Sequence, residues 1–266
     1  MSPGDLGQVV KPFVFLDLFD ADSRLMTEGM GIHPHSGIAT ITVLTQGDLR
    51  FDDPEAGQGS IGYGGVEWMR AGGGVWHGKE LSAGASPRIK GFQLWIALPS
   101  DLENQTSESQ YIPAHEMRAT GPAHVILGAY EGVDSPVRAP DGVNYLLVTL
   151  KPGETWTYTP PAGHDVGWVS VAQGALESAG RLTAGDLAVF APSQEAITLA
   201  AVGDEDAVFV LGSAVRHPHA LHTGYYSVHT SADALQRGEA RIAALGEALA
   251  QAGDRRTASG SVPVFR

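Results

Sequence analysis

The chain has 266 residues, 43% of them hydrophobic and 18% charged, enough to build one large domain or two modest ones and too apolar for a disordered polymer. A net charge of −13 repels phosphate backbones, so direct nucleic-acid binding is not expected. There is no cysteine, which rules out disulfides and thiolate-metal sites and fits a reducing compartment.

Glycine (34) and proline (16) are spread along the whole chain, a distribution that suits many short strands joined by tight turns. Residues 1–12 read as a loose arm and residues 13–19 as a strand. That first apolar run is broken by Asp17 and lacks a basic start and a small-residue cleavage site. No run approaches the roughly 20 apolar residues of a membrane helix, so a cytoplasmic location without membrane contact is the expectation. Residues 40–45 alternate and are β-branched, as a half-buried strand requires. A turn follows at Gln46-Gly47-Asp48 and a stronger one at residues 52–57. Gly62 to Gly74 reads as short strands joined by bends, and residues 92–98 as a further strand stopped by Pro99.

Residues 99–122 are polar and carry three prolines, which makes them the expected connection between two domains. A second β series follows at residues 145–150, 168–171, 187–190 and 207–211. Leu235, Ile242, Leu245 and Leu249 then recur at helical spacing, with Ser231 as N-cap and Gly253 as stop. The expected division is therefore 1–122, 123–230, and a helix with a frayed tail over 231–266.

Three histidines carry the chemistry. His33 and His35 flank Pro34; in an extended segment residues two apart face the same side. Pro34 cannot donate a ladder hydrogen bond, which places the segment at an edge or a strand start. His77 lies beyond a glycine-rich bend and can return on an adjacent strand. Three neutral imidazoles suit Fe, Ni, Cu or Zn and leave positions open for water or substrate. Taken alone, a His-Pro-His spelling also describes two surface histidines beside a proline; it recurs at His217-Pro218-His219 with His222 nearby, where adventitious metal binding is the expectation. His164 reads as a turn or surface histidine. Trp68, Trp76 and Trp95 read as core or barrel-mouth packing.

The run Gly31-Ile32-His33-Pro34-His35-Ser36-Gly37 resembles the first metal motif of the pirins, a group within the cupins. The run from Val66 through Trp68, Met69 and Gly72-Gly73-Gly74 to His77 resembles their second motif, and Gln93-Leu94-Trp95 with Leu98-Pro99 resembles the strand after it. The resemblance implies an all-β bicupin: two cupin-type β-barrels followed by a C-terminal helix, with residues 212–230 closing the second barrel. It also implies one divalent metal, usually Fe(II), in the first barrel, held by three His and one Glu. Some pirins oxidise flavonols such as quercetin with O2, as dioxygenases; others act as redox-linked protein partners. The expected partner is thus a small-molecule substrate or another protein.

One position departs from that pattern. The pirin glutamate follows the third histidine by two residues; here that place is Lys79, and Glu80 comes one later. In a regular strand Lys79 would share a face with His77 and Glu80 would point away. Three arrangements follow: a three-histidine site with Lys79 free to meet an anionic substrate, a site completed by Glu80 through a bulge, or a metal-free site with Lys79 in the metal's place. The expected metal ligands are His33, His35, His77 and Glu80, with Lys79 and Gln93 as substrate-facing, catalytic residues.

Overall fold

The computed structural model describes residues 1–29, 31–53 and 56–251. Gly253 and the tail 254–266 lie outside the described residues. Two compact units emerge: residues 1–9, 13–114 and 218–251 form one, and residues 10–12 with 115–217 form the other, taken over the described residues.

Unit 1 is built on a five-stranded antiparallel sheet. Its order is Phe13–Asp22, Arg88–Ala97, Ile38–Gln46, Val66–Arg70 and Glu108–Ile112. A three-stranded sheet joins Gly57–Ile61, Leu49–Asp53 and Leu81–Ala83. Leu44 and Ile89 from the first sheet pack with Leu49, Ile61 and Leu81 from the second, so one core lies between them. The two histidine segments form a separate ribbon, His33–His35 against Val75–His77. The strand expectations at 13–19 and 40–45 fall inside this sheet, and that at 92–98 overruns its strand by Leu98 alone, since alternating β-branched residues fit a pleated, half-buried surface.

The N-terminal arm is not loose. Leu6–Val9 makes a helical turn, Gly7 N donates to Ser2 O at 3.0 Å, and Leu16 N donates to Met1 O at 3.1 Å. The arm covers the free side of an edge strand, whose unpaired backbone groups need partners. The polar stretch 99–122 likewise holds more structure than its composition implies. Glu108–Ile112 pairs with Val66–Arg70, Arg70 ion-pairs with Glu108 at 3.2 Å, and Tyr111 stacks on Phe51 at 4.1 Å.

Unit 2 places a six-stranded sheet opposite a four-stranded one. The long strands Val143–Leu150, Ala207–Ala214 and Val166–Gln173 are neighbours in the first. Leu146, Val148, Val169 and Phe209 from that sheet pack with Tyr158, Leu176 and Leu199 from the other. His164, expected in a turn or at the surface, does close a turn, its N donating to Pro161 O at 3.0 Å, but it is buried and hydrogen-bonded to Ser213 Oγ at 2.9 Å.

Residues 218–230 group with unit 1, not with the second barrel. They form the hairpin His222–Gly224/Ser227–His229. The helix Ala232–Gln251 follows, with Ser231 Oγ accepting from Ala234 N at 3.1 Å as an N-cap does. It buries Ala234, Ile242, Leu245 and Leu249, and Leu235 stays half-buried. No helix among the described residues is long and apolar enough to cross a membrane.

Candidate metal centre

Antiparallel pairing sets His33 directly opposite His77 and His35 opposite Val75. Period-two alternation brings His35 to the same side as His33. The three rings meet: centroids are 4.9 Å apart for His33 and His35, 4.7 Å for His33 and His77, and 5.1 Å for His35 and His77. One ring nitrogen from each lies within 4.8 Å of the others.

The hydrogen bonds decide which nitrogens these are. His33 Nδ1 sits 2.9 Å from Gly31 O, His35 Nδ1 3.3 Å from Tyr226 O, and His77 Nδ1 2.8 Å from Glu80 Oε1. Each Nδ1 is thus occupied by an oxygen acceptor, which leaves Nε2 of each ring toward the shared space. His77 Nε2 is buried and has no hydrogen-bond partner. A buried orphan nitrogen costs free energy unless something else engages it. Three imidazoles oriented through their far nitrogens, one of them orphaned, fit a borderline divalent ion.

The chain turns sharply after His77. Gly78 adopts φ +125°, and a Cβ there would lie 2.8 Å from Gly31 O and 3.1 Å from His33 Nδ1. The turn breaks the alternation, so Lys79 does not share the face of His77. Lys79 Nζ instead donates to the Glu28 carbonyl at 3.0 Å, and Lys79 is not among the cavity-lining residues. Glu80 points inward and is 3% exposed. Its Oε2 accepts from Gly78 N at 2.7 Å and its Oε1 holds His77. That bond engages Glu80 with Nδ1 of His77 and leaves Nε2 unbonded.

Beside the histidines lies a cavity of about 210 Å³, walled by Phe15, Trp95, Gln93, Thr42, Glu67 and Glu80 among others. Trp95 stands 4.9 Å from His35 and stacks on Phe15 at 4.5 Å. Trp68 belongs to the core, and Trp76 is half-buried, its Nε1 donating to Ile242 O at 2.7 Å. Of the second histidine group, His217 is buried, while His219 and His222 are exposed.

The Pirin family profile matches residues 2–96. A "Pirin-like protein" of Caulobacter vibrioides is 32% identical over 225 residues, covering 81% of this chain and 80% of its own. The chain belongs to the pirin family. Pirins are bicupins of the cupin superfamily, and the two sheet-rich halves with a C-terminal helix agree with that architecture. A crystal structure of quercetin 2,3-dioxygenase from Acinetobacter baumannii superposes with TM-score 0.76 at 27% identity, over 90% of this chain and 87% of that one. The bacterial pirin YhhW of Escherichia coli, solved with nickel(II), shares the fold at TM-score 0.61 and 18% identity, over 82% of this chain and 87% of that one.

A second buried carboxyl stands at the site. Glu67, from the strand Val66–Arg70, lies with His77 and Glu80 in a further group whose ligand atoms fall within 4.8 Å. Burial pushes its pKa up to about 7, against the opposing pull of His77 and the Thr42 hydrogen bond. Thr42 Oγ1 is hydrogen-bonded to Glu67 Oε2 and lies 2.8 Å from Gln93 Oε1. One hydroxyl proton cannot serve two acceptors, so one partner must donate to Thr42 Oγ1: Glu67 in its protonated form, or Gln93 through its amide NH2 with the two amide ends exchanged. Burial depresses His35 well below the usual histidine range, with the charges of His77 and His33 adding to it. Burial pulls the His77 pKa down, but the charge and hydrogen bond of Glu80, with the charges of Glu67 and Asp53, together outweigh it and raise the pKa. The reciprocal attraction outweighs burial at Glu80 and lowers its pKa to about 2.

Sequence reasoning missed Glu67, Thr42 and Tyr226. A carboxyl inside the otherwise apolar run Val-Glu-Trp-Met was the signal available for Glu67, because a charge at an inward strand position needs a reason. Nothing in the local spelling around Tyr226 tied it to histidines almost two hundred positions away.

Proposed function

We propose that this pirin is a metal-dependent oxygenase acting on a small aromatic or enol substrate. The observation that carries this reading is the convergence of three imidazoles, each with Nδ1 engaged, on the wall of an aromatic-lined cavity. His33, His35 and His77 would hold the ion, Fe(II) or a similar borderline metal. Bound there, the metal supplies a Lewis acid that polarises a substrate oxygen and a centre that orients O2.

The protein's own groups do the rest. Glu80 acts as outer carboxylate: it fixes the orientation of His77 and balances charge without occupying a coordination position. With Glu67 protonated, Thr42 presents its hydroxyl to Gln93 Oε1, which leaves the Gln93 amide NH2 to donate to a substrate oxygen. Phe15 and Trp95 offer apolar faces to a planar ring. Lys79 has no part in this arrangement; its ammonium is engaged by Glu28 O.

Cavity size narrows the substrate. Pockets for drug-sized ligands run to about 300–1,000 Å³, and this one holds about 210 Å³. A single-ring enol fits inside, whereas a three-ring flavonol must extend past the rim. The test is metal analysis of tag-free protein, then oxygen uptake with quercetin and with single-ring enols. Stoichiometric metal with faster uptake on the single-ring compounds is expected. Full metal loading with no uptake on either would replace the enzyme with a metal-sensing module that binds a protein partner.

A further inference from the structure

Tyr226 occupies a backbone position that its residue type resists. It sits at φ +52°, at the second place of the two-residue tip Tyr225–Tyr226 between the paired Gly224 and Ser227. Turns with a left-handed second residue favour Gly or Asn there, because a Cβ crowds the neighbouring carbonyl. A strained residue persists only where its surroundings over-determine it, and such residues cluster at functional sites.

The surroundings are unusually well tied. Val228 N donates to Ser36 O at 3.2 Å, and Ser36 Oγ donates to Ser227 Oγ at 2.8 Å. Ser36 Oγ also lies 3.0 Å from His229 Nε2, and His229 Nδ1 lies 3.2 Å from Glu103 Oε2. Thr230 closes the set through N and Oγ1, each donating to Glu103 at 2.7 Å. With its proton given to Ser227, Ser36 Oγ accepts from His229 Nε2, and Ser36 and His229 are no more than 1% exposed. The array is a clamp, and it grips the hairpin beside the residue that follows His35.

We infer that Tyr226 is a positioning residue of the metal centre: its carbonyl, aimed by the left-handed turn, fixes the tautomer of His35, and its ring packs over His33 and His35 and shields them from solvent. The carbonyl lies 3.3 Å from His35 Nδ1, which must carry the proton to bond it and so presents a bare Nε2. The ring centroid is 5.9 Å from His33, 5.8 Å from His35 and 6.4 Å from Trp95, and the residue is 42% exposed, so the ring stands between the histidines and solvent. The ion-related half of this inference rests on the metal reading above; the tautomer half does not.

The experiment compares Tyr226→Phe, Tyr226→Gly and Tyr226→Ile. Long-range 1H–15N spectra of the metal-free protein report the His35 tautomer. Ni2+ titration reports affinity, and EDTA-driven loss of Ni2+ reports access. Phe should match the wild type in all three. Gly keeps the turn and the carbonyl, so tautomer and affinity should hold while Ni2+ loss quickens about fivefold or more. Ile resists the left-handed turn, so His35 should become a tautomer mixture and affinity should fall about tenfold, the low end for outer partners of metal-bound histidines. An Ile variant with the wild-type tautomer, or a Gly variant that loses Ni2+ at the wild-type rate, would overturn the inference. Should Ile not fold, the Gly arm decides alone. A wild type that takes up no Ni2+ overturns the metal reading, and the tautomer measurement still judges Tyr226.

Discussion

Glu80 reaches His77 only because Gly78 takes a conformation that L side chains rarely adopt. Gly78→Ala should therefore act twice. The left-handed strain alone costs about 1–3 kcal/mol, and the new methyl presses on Gly31 O and His33 Nδ1. A lower Tm together with weaker Ni2+ binding is expected; a lower Tm with unchanged binding would show that His33 can move aside freely. Glu80→Gln isolates the electrostatic part. It keeps the size but loses the charge that orients His77, and metal affinity should drop by about 10–100-fold. Lys79→Glu, by contrast, should leave affinity within about twofold, since the ammonium lies at Glu28 O and outside the cavity wall. A large rise in affinity on that substitution would return Lys79 to the site. These three neighbours mark the limit of reading residues by spelling. His33 and His35 were legible because two-residue spacing has one meaning in an extended segment. The fates of Lys79 and Glu80 were not, because a single unusual φ between them and His77 exchanges inside for outside.

At the scale of elements, the site is closed by pieces from the end of the chain. The hairpin His222–Gly224/Ser227–His229 and the helix Ala232–Gln251 both belong to unit 1. The long strands were legible from alternation, because burying one face demands it. The allegiance of the hairpin was not: its short polar strands carry no pattern that says which barrel they join. Clamp and helix meet at Gly238, where an added Cβ would lie 2.4 Å from His229 Nε2 and 2.5 Å from Ser36 Oγ. Alanine usually helps a helix by up to about 1 kcal/mol over glycine. Here the overlap with two buried, hydrogen-bonded groups should dominate, since overpacking costs about 1–3 kcal/mol. Gly238→Ala is expected to lower Tm despite its better helix propensity, and to loosen the His35 contact with Tyr226 O, visible in the same histidine spectra. An unchanged or raised Tm would mean that the helix can slide away from the clamp.

At the scale of the whole molecule, the candidate metal ligands all lie in unit 1, whereas unit 2 holds a separate core around Tyr158, Leu199 and Phe209. A ligand that binds only folded protein stabilises the part it binds, by about 2.7 kcal/mol when free ligand is 100 times Kd. For a unit of roughly 150 residues each kcal/mol moves the midpoint by about 2–4 °C, so saturating Ni2+ should raise one calorimetric transition by about 5–10 °C. The other transition, that of unit 2, should stay in place, and EDTA should restore the original trace. Triple replacement of His33, His35 and His77 by Ala should abolish the shift without moving the second transition. Both transitions rising together would show that the units unfold as one cooperative body. A shift surviving the triple replacement would move the ion elsewhere in the chain, and the three-imidazole centre would lose its claim to it.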